Sequence, residues 1–302
     1  MNCSKCRVKK AVAKKPFTDQ YMCLDCYMSD IYKRIKRNLS RSKQLEYRGK
    51  IAFLIPQPYL AYGLFALRII LAIEKKYESE IHIIMESCDD SKFIKDGSEK
   101  NVRIYALQAP EELRYLLKDE NSIAWWRRYR AIAASSVLKL GFRSMVLPLC
   151  AEAASKMEIS SILSSQLDGG GEEELYLLRP DGFSFVNALY GISCREVTLF
   201  SYMMFPEAYE EQLRAESRIG KSLVDEYANN ILMSAIKWRS GEVLHSIDKS
   251  IAWLYGSQNV PKCKYCGGFS LKKNVCSYCE VFEDEKINVL LSQAELRECK
   301  QL

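Results

Sequence analysis

The stretch IAFLIPQPYLAYGLFALRIILAI, residues 51–73, decides how the rest of the chain is read. Its first five residues, Ile51–Ile55, are a short apolar run that predicts a buried strand, and Leu60–Ile73 carries the apolar face of a helix. Pro56, Gln57, Pro58 and Arg68 interrupt it, so it falls short of the roughly 20 clean apolar residues of a membrane span. Further strands are predicted at Glu80–Met85, Val102–Ala106, Ser144–Leu149 and Glu174–Leu178. Helices are predicted at Asn121–Leu140, near Ala151–Leu167 and from about Ser193 onward, with a turn at Gly169–Gly171. The alternation predicts an α/β fold with a parallel sheet covered by helices on both faces.

In such a sheet ligands bind beyond the carboxyl ends of the strands, so the turn Pro56-Gln57-Pro58-Tyr59 is where phosphate chemistry would sit. A phosphate cradle needs free backbone N–H groups and glycines that let the backbone come close. Two prolines remove two donors and no glycine appears before Gly63, so ordinary nucleotide binding is not expected. Other catalytic patterns are equally thin. The two histidines, His82 in a predicted strand and His245 in a predicted helix, belong to no metal motif, and Asp89 and Asp90 read as a polar loop.

Eight of the twelve cysteines fall in four C-x2-C pairs. Cys3, Cys6, Cys23 and Cys26 form one set, and Cys263, Cys266, Cys276 and Cys279 form the other. Two residues between cysteines let both thiolates reach one ion, and two such knuckles close a tetrahedral zinc shell with no open position for catalysis. Gly267 and Gly268 follow Cys266 and permit the backbone turn such a knuckle requires. The opening MNCSKCRVKK lacks the apolar segment of a secretory signal, so a reducing, cytoplasmic setting is expected, which favours zinc over disulfides. Cys88, Cys150, Cys194 and Cys299 stand alone and read as small buried or idle residues. The chain then divides into a zinc module with a basic helix (1–45), an α/β domain (46–257) and a zinc ribbon with a tail (258–302).

Of the formal net charge of +6, residues 1–50 carry +10, with 14 Lys or Arg against 4 Asp or Glu. A basic arm on a mildly acidic body points to a polyanionic partner and gives no sign of a membrane. Lys9, Lys10, Lys14 and Lys15 on the first module, and Lys33, Arg34, Lys36 and Arg37 on the following helix (about Ser29–Leu39), are candidate RNA contacts. The segment Trp125-Trp126-Arg127-Arg128-Tyr129-Arg130 is expected to turn its aromatics inward and its arginines outward, which adds Arg127 and Arg128.

These residues resemble a known family. Cys3–Leu39, with a C-x2-C pair, a basic spacer, MCLDCY and a basic helix, is similar to the start of the cytoplasmic tRNA 2-thiolation proteins. LGFRSMV at 140–146, Leu178-Arg179-Pro180 and Arg195-Glu196-Val197-Thr198-Leu199-Phe200 resemble the second, non-catalytic member of that pair. The catalytic member would carry an SGGxDS phosphate loop and a cysteine pair in the core, where this chain has PQPYLA and no such pair. The resemblance implies an adenine-nucleotide alpha-hydrolase-like (PP-loop ATPase-like) core with a degenerate phosphate loop, two structural zinc ions and no ATP. It also implies a pseudoenzyme role. The chain would grip tRNA beside a catalytic subunit that activates the wobble uridine and takes sulfur from a thiocarboxylated ubiquitin-like carrier. Two alternatives stay open: that the chain is itself the thiolating enzyme, with Cys150 carrying sulfur, or that it is a zinc-ribbon RNA adaptor in transcription or translation.

Overall fold

The computed structural model describes residues 1–16, 18–46, 48–94, 101–118, 121–164, 168–237, 260–271 and 274–299. His245, and the boundary expected at 257, lie outside the described residues. A short ribbon, β1 (Ala13–Lys14) and β2 (Tyr21–Met22), leads into α1 (Leu24–Ser42). The core follows as β3 (Lys50–Ile55), α2 (Leu60–Glu74), β4 (Glu80–Met85), β5 (Val102–Gln108), α3 (Glu111–Leu116), α4 (Ser122–Leu138), β6 (Ser144–Leu147) and α5 (Ala151–Leu163). Then come β7 (Tyr176–Leu178), β8 (Ser184–Asn187), α6 (Cys194–Met204), α7 (Pro206–Glu216) and α8 (Leu223–Lys237). The chain closes with α9 (Glu285–Gln293) and β9 (Glu295–Glu298).

Seven strands form one sheet in the order β7-β8-β6-β3-β4-β5-β9. The five inner strands run parallel, as expected, while β7 and β9 close the two edges antiparallel. Strand β8 has no counterpart in the sequence reading, because Ser184-Phe185-Val186-Asn187 is too short and too polar to stand out, yet all four residues are buried. The strand order reverses between β6 and β3, so the ends of these strands and the turn after β3 form the crevice of an open α/β sheet.

Side chains alternate across a strand, and β3 shows how this splits the core. Ile51, Phe53 and Ile55 enter one apolar cluster with α1, α2 and α6, while Ala52 and Leu54 enter a second with α4. The two cysteine modules divide the same way. Cys3 and Cys23 belong to the first cluster, beside Tyr27, Ile31 and Ile35; Cys263, Cys266, Cys276 and Cys279 belong to the second, beside Trp126 and Phe185. The modules therefore sit on opposite faces of the sheet. Arg34 and Asn38 fasten α1 to its face: Arg34 donates to Glu196 at 3.0 Å, and Asn38 donates to the carbonyls of Ala188 and Tyr190.

On the other face the arginines of α4 depart from the expectation. Arg127 and Arg130 are buried rather than solvent-facing. Arg127 donates to both oxygens of Glu172 at 3.1 and 2.8 Å and to the Asp168 carbonyl at 2.9 Å, and its guanidinium lies 4.7 Å from the centre of the Tyr278 ring. Arg130 pairs with the same Glu172 at 3.3 Å. Removing one partner of a buried ion pair costs about 3–5 kcal/mol, because the other charge is left unpaired. Arg127→Met leaves Glu172 with Arg130 as its countercharge and is therefore expected to lower the unfolding free energy toward the lower end of that range, about 3 kcal/mol, in urea titration. A loss under about 1 kcal/mol would show that the guanidinium is hydrated after all.

Candidate functional site

The crevice begins at the turn after β3, where every backbone N–H is either missing or already used. Pro56 and Pro58 have none. The Gln57 N–H donates to a Glu86 carboxylate oxygen at 3.1 Å, and the Tyr59 N–H to the Pro56 carbonyl at 2.9 Å. The Leu60 N–H turns back onto the Gln57 carbonyl. Those of Ala61 and Tyr62, at the start of α2, both donate to Oε1 of Gln212, at 2.9 and 3.3 Å. Gln212 reaches in from α7 and is oriented by Glu216, which accepts from its amide nitrogen at 2.8 Å. A helix N-terminus binds anions because its first N–H groups lack partners; here two of them have one inside the protein. Burial pushes the Glu86 carboxyl up to about 7, so near neutrality the acceptor of the Gln57 N–H is only partly ionised. Gln57 also approaches Asp90 with its side-chain amide at 3.4 Å.

Beside this turn lies a cavity of about 320 Å³ lined by residues that include Tyr59, Trp125, Lys156, Cys194, Arg195 and Glu216. Two of the cysteines expected to be idle meet at its edge. Cys150, at the N-cap of α5, is disulfide-bonded to Cys194, the first residue of α6, and Cys88 is bonded to Cys299. The idle reading is thereby corrected. Separations of 44 and 211 residues carry no local spacing signal, so the pairing only becomes visible in three dimensions.

The eight remaining cysteines form two groups of four whose sulfurs all lie within 4.8 Å of one another. Within them Cys6 and Cys23 are 3.8 Å apart, and Cys266 and Cys276 are 3.7 Å apart. Four sulfurs about 2.3 Å from a tetrahedral ion are themselves about 3.8 Å apart, so both groups fit a single metal ion with a closed shell. The second group is built into the core. Asp168 accepts from the backbone of Leu271 at 2.7 Å and of Ser277 at 2.5 Å, and Phe269 donates to the Gly170 carbonyl at 2.8 Å. A Cβ on Gly268 would stand 2.0 Å from the Gly169 carbonyl oxygen, so only glycine permits this approach.

The candidate RNA contacts separate into two sets. Lys9 pairs with Asp25, Lys14 with Asp19 at 2.7 Å, and Lys15 with Asp30 at 2.8 Å. Arg34 pairs with Asp30 at 3.2 Å and with Glu196, and Arg128 donates to the carbonyls of Tyr278 and Leu116, both at 3.2 Å. Arg127 is enclosed as described, so its expected solvent-facing role is corrected by burial. Lys10, Lys33, Lys36 and Arg37 are exposed and make no ion pair among the described residues. Sequence reading missed Glu86 and Gln212, since nothing local marks a glutamine on a distant helix as a cap for α2.

No family model and no curated protein sequence matches the chain. Among solved structures, the U34-tRNA thiolase NcsA from Methanococcus maripaludis with its [4Fe-4S] cluster is similar, with a TM-score of 0.61 and 15% sequence identity over 94% of this chain and 96% of that one. The likeness establishes the PP-loop ATPase-like α/β fold across nearly the whole chain. Among the described residues, no helix is long and apolar enough to cross a membrane.

Burial differs between the two cysteine groups. Cys6 and Cys26 are half-exposed, whereas all four cysteines of the C-terminal group are buried. Metal analysis is expected to find two ions per chain, and under a chelator the N-terminal ion is expected to leave first, as followed by comparing release from the unmodified chain with that from a Cys6→Ala variant that keeps only the buried C-terminal site. Loss of the C-terminal ion first would contradict the burial.

Proposed function

We propose that the chain is a non-catalytic, tRNA-gripping subunit of a cytoplasmic complex that thiolates the wobble uridine of tRNA. One observation carries the reading: the chain has the fold of a U34-tRNA thiolase, yet the amides of its phosphate turn are satisfied from within. A pseudoenzyme keeps the architecture and loses the donors. A catalytic partner, forming a heterodimer with this chain, would then activate the uridine with ATP and receive sulfur from a thiocarboxylated ubiquitin-like carrier.

Both cysteine groups hold zinc in this reading. Four thiolates at single-ion spacing suit zinc, which is structural when its shell is closed. The N-terminal ion shapes the module from which α1 emerges, and α1 presents the cations left without internal partners.

The reading is tested by mass spectrometry of digested tRNA from cells depleted of this protein. Wobble 2-thiouridine is expected to disappear and to return with the wild-type chain and with a Cys150→Ser version. Intact thiolation would remove the proposal, and failure of Cys150→Ser to rescue, together with ATP binding by the isolated chain in calorimetry, would make the chain the enzyme instead. A second measurement addresses the RNA. Lys33→Ala, Lys36→Ala and Arg37→Ala together are expected to weaken tRNA binding and to reduce the slope of log K against log salt by about 2–3, since each cation displaces roughly one counterion. An unchanged slope would exclude this face of α1, and Lys9→Ala or Lys14→Ala, whose ammonium groups are already paired, is expected to change it less.

A further inference from the structure

The terminal strand β9 is poorly equipped to stay on the sheet by itself. It pairs antiparallel with the outer edge of β5, Tyr105 opposite Glu298 through Gln108 opposite Glu295. Of its four residues, Glu295, Arg297 and Glu298 are exposed and only Leu296 is partly covered. A short edge strand with little apolar burial belongs to the low-stability end of a structure, where pairing opens readily. Two fastenings hold its ends. At the start, the Lys139 ammonium donates to the carbonyls of Ser292 and Ala294, both at 2.5 Å. At the finish, the Cys299 N–H donates to the Ile104 carbonyl at 2.8 Å and the Cys299 sulfur is bonded to Cys88.

The covalent fastening faces an open cleft. Cys88 and Cys299 both line a groove of about 1270 Å³ at the carboxyl ends of β4 and β5, together with Glu86, Lys92, Arg114 and Arg297. Cys88 is partly exposed there while Cys299 is buried, so a small thiol would attack at the Cys88 sulfur. We propose that Cys88 and Cys299 are a redox latch: the disulfide fixes β9 as the outer wall of the groove, and reduction frees β9 from the β5 edge.

The chemistry needs only thiol–disulfide exchange with a small disulfide such as oxidised glutathione. One protein thiolate attacks it, forming a mixed disulfide and releasing one glutathione thiolate. The second protein thiolate then attacks the protein sulfur of that mixed disulfide and releases the second. The protein loses two electrons, glutathione disulfide gains them, and the two thiol protons end on the two glutathione thiols. Cys88 and Cys299 are separated by 211 residues, so closing the bond removes a large loop from the chain's freedom and keeps β9 at its edge whenever it frays.

The test uses the full metal-loaded chain equilibrated in reduced or oxidised glutathione, with disulfides mapped by peptide mass spectrometry and backbone opening followed by hydrogen exchange. The Cys88–Cys299 cross-link is expected in oxidised glutathione only. In the reduced form, peptides covering Val102–Gln108 and Glu295–Glu298 are expected to exchange at least about tenfold faster, while those covering β3 do not change. A Cys150→Ala/Cys194→Ala variant is expected to keep the whole response, which assigns it to the remaining pair. Cys299→Ser is expected to show fast exchange in both buffers. No cross-link in oxidised glutathione, or equal exchange of these peptides in the two redox forms of the unmodified chain, would overturn the proposal.

Discussion

The guanidinium of Arg127 has no access to water, and much of the second sheet face is arranged around it. An isolated charge in that position would cost more than most folds can supply, so each donor needs an acceptor. Glu172 provides the countercharge, and Arg127 and Arg130 hold its carboxyl below the usual carboxylate range against the opposing effect of burial. Nearby Glu158 and Glu173 are pushed the other way, chiefly by burial. The remaining partners of Arg127 are a backbone carbonyl, a serine hydroxyl and the face of Tyr278. Because that carbonyl belongs to Asp168 and the ring lies between Cys276 and Cys279, one side chain joins α4, the glycine turn and the C-terminal metal module. The module is consequently part of the core it covers, and a metal held there would support more than its own loops.

A second constraint governs the crevice. The strand–turn–helix unit at 51–73 forms one wall of the crevice of an open α/β sheet, with Gly63 allowing α2 to lie against Ile55, where a Cβ would meet the side chain at 2.6 Å. The N–H groups of this turn end on acceptors inside the protein. Backbone donors cannot be left buried and unmet, so a turn without a phosphate must find acceptors from within, and Glu86 and Gln212 supply them. The arrangement reaches across the fold, since Gln212 arrives from α7 and is itself aimed by Glu216. Glycines placed in the turn would not by themselves make a phosphate cradle, because the internal acceptors would still compete for the amides.

How much of this was readable in the sequence follows from how local each signal is. The C-x2-C pairs were legible because four ligands in two knuckles are written within a few dozen residues. The parallel core was legible because Ile51–Ile55 and Glu80–Met85 are apolar runs between helical patterns. Strand β8 was not, because two of its four residues are polar and its burial comes from neighbours on both sides. Neither antiparallel edge was anticipated: a strand's direction depends on where the chain returns from, which no window of residues records. The arginines of α4 were misread for a related reason. Charge in a helix normally marks the wet face, and the carboxylate that draws Arg127 inward lies 45 residues away.

The same logic sorts the basic arm. A count of cations makes residues 1–50 look uniformly available to a polyanion, yet Lys15 and Arg34 share Asp30 and Arg34 also grips Glu196, which caps α6. These charges position the N-terminal module on its sheet face and have little left to offer a phosphate. Lys33, Lys36 and Arg37 differ only by their place on the helix, three and four residues apart on the side that Ile31, Ile35 and Leu39 leave to solvent. Internal pairing thus creates the distinction between holding and presenting charge. The basic surface is narrower than the composition suggests, and it sits on the opposite side of the sheet from the C-terminal metal group.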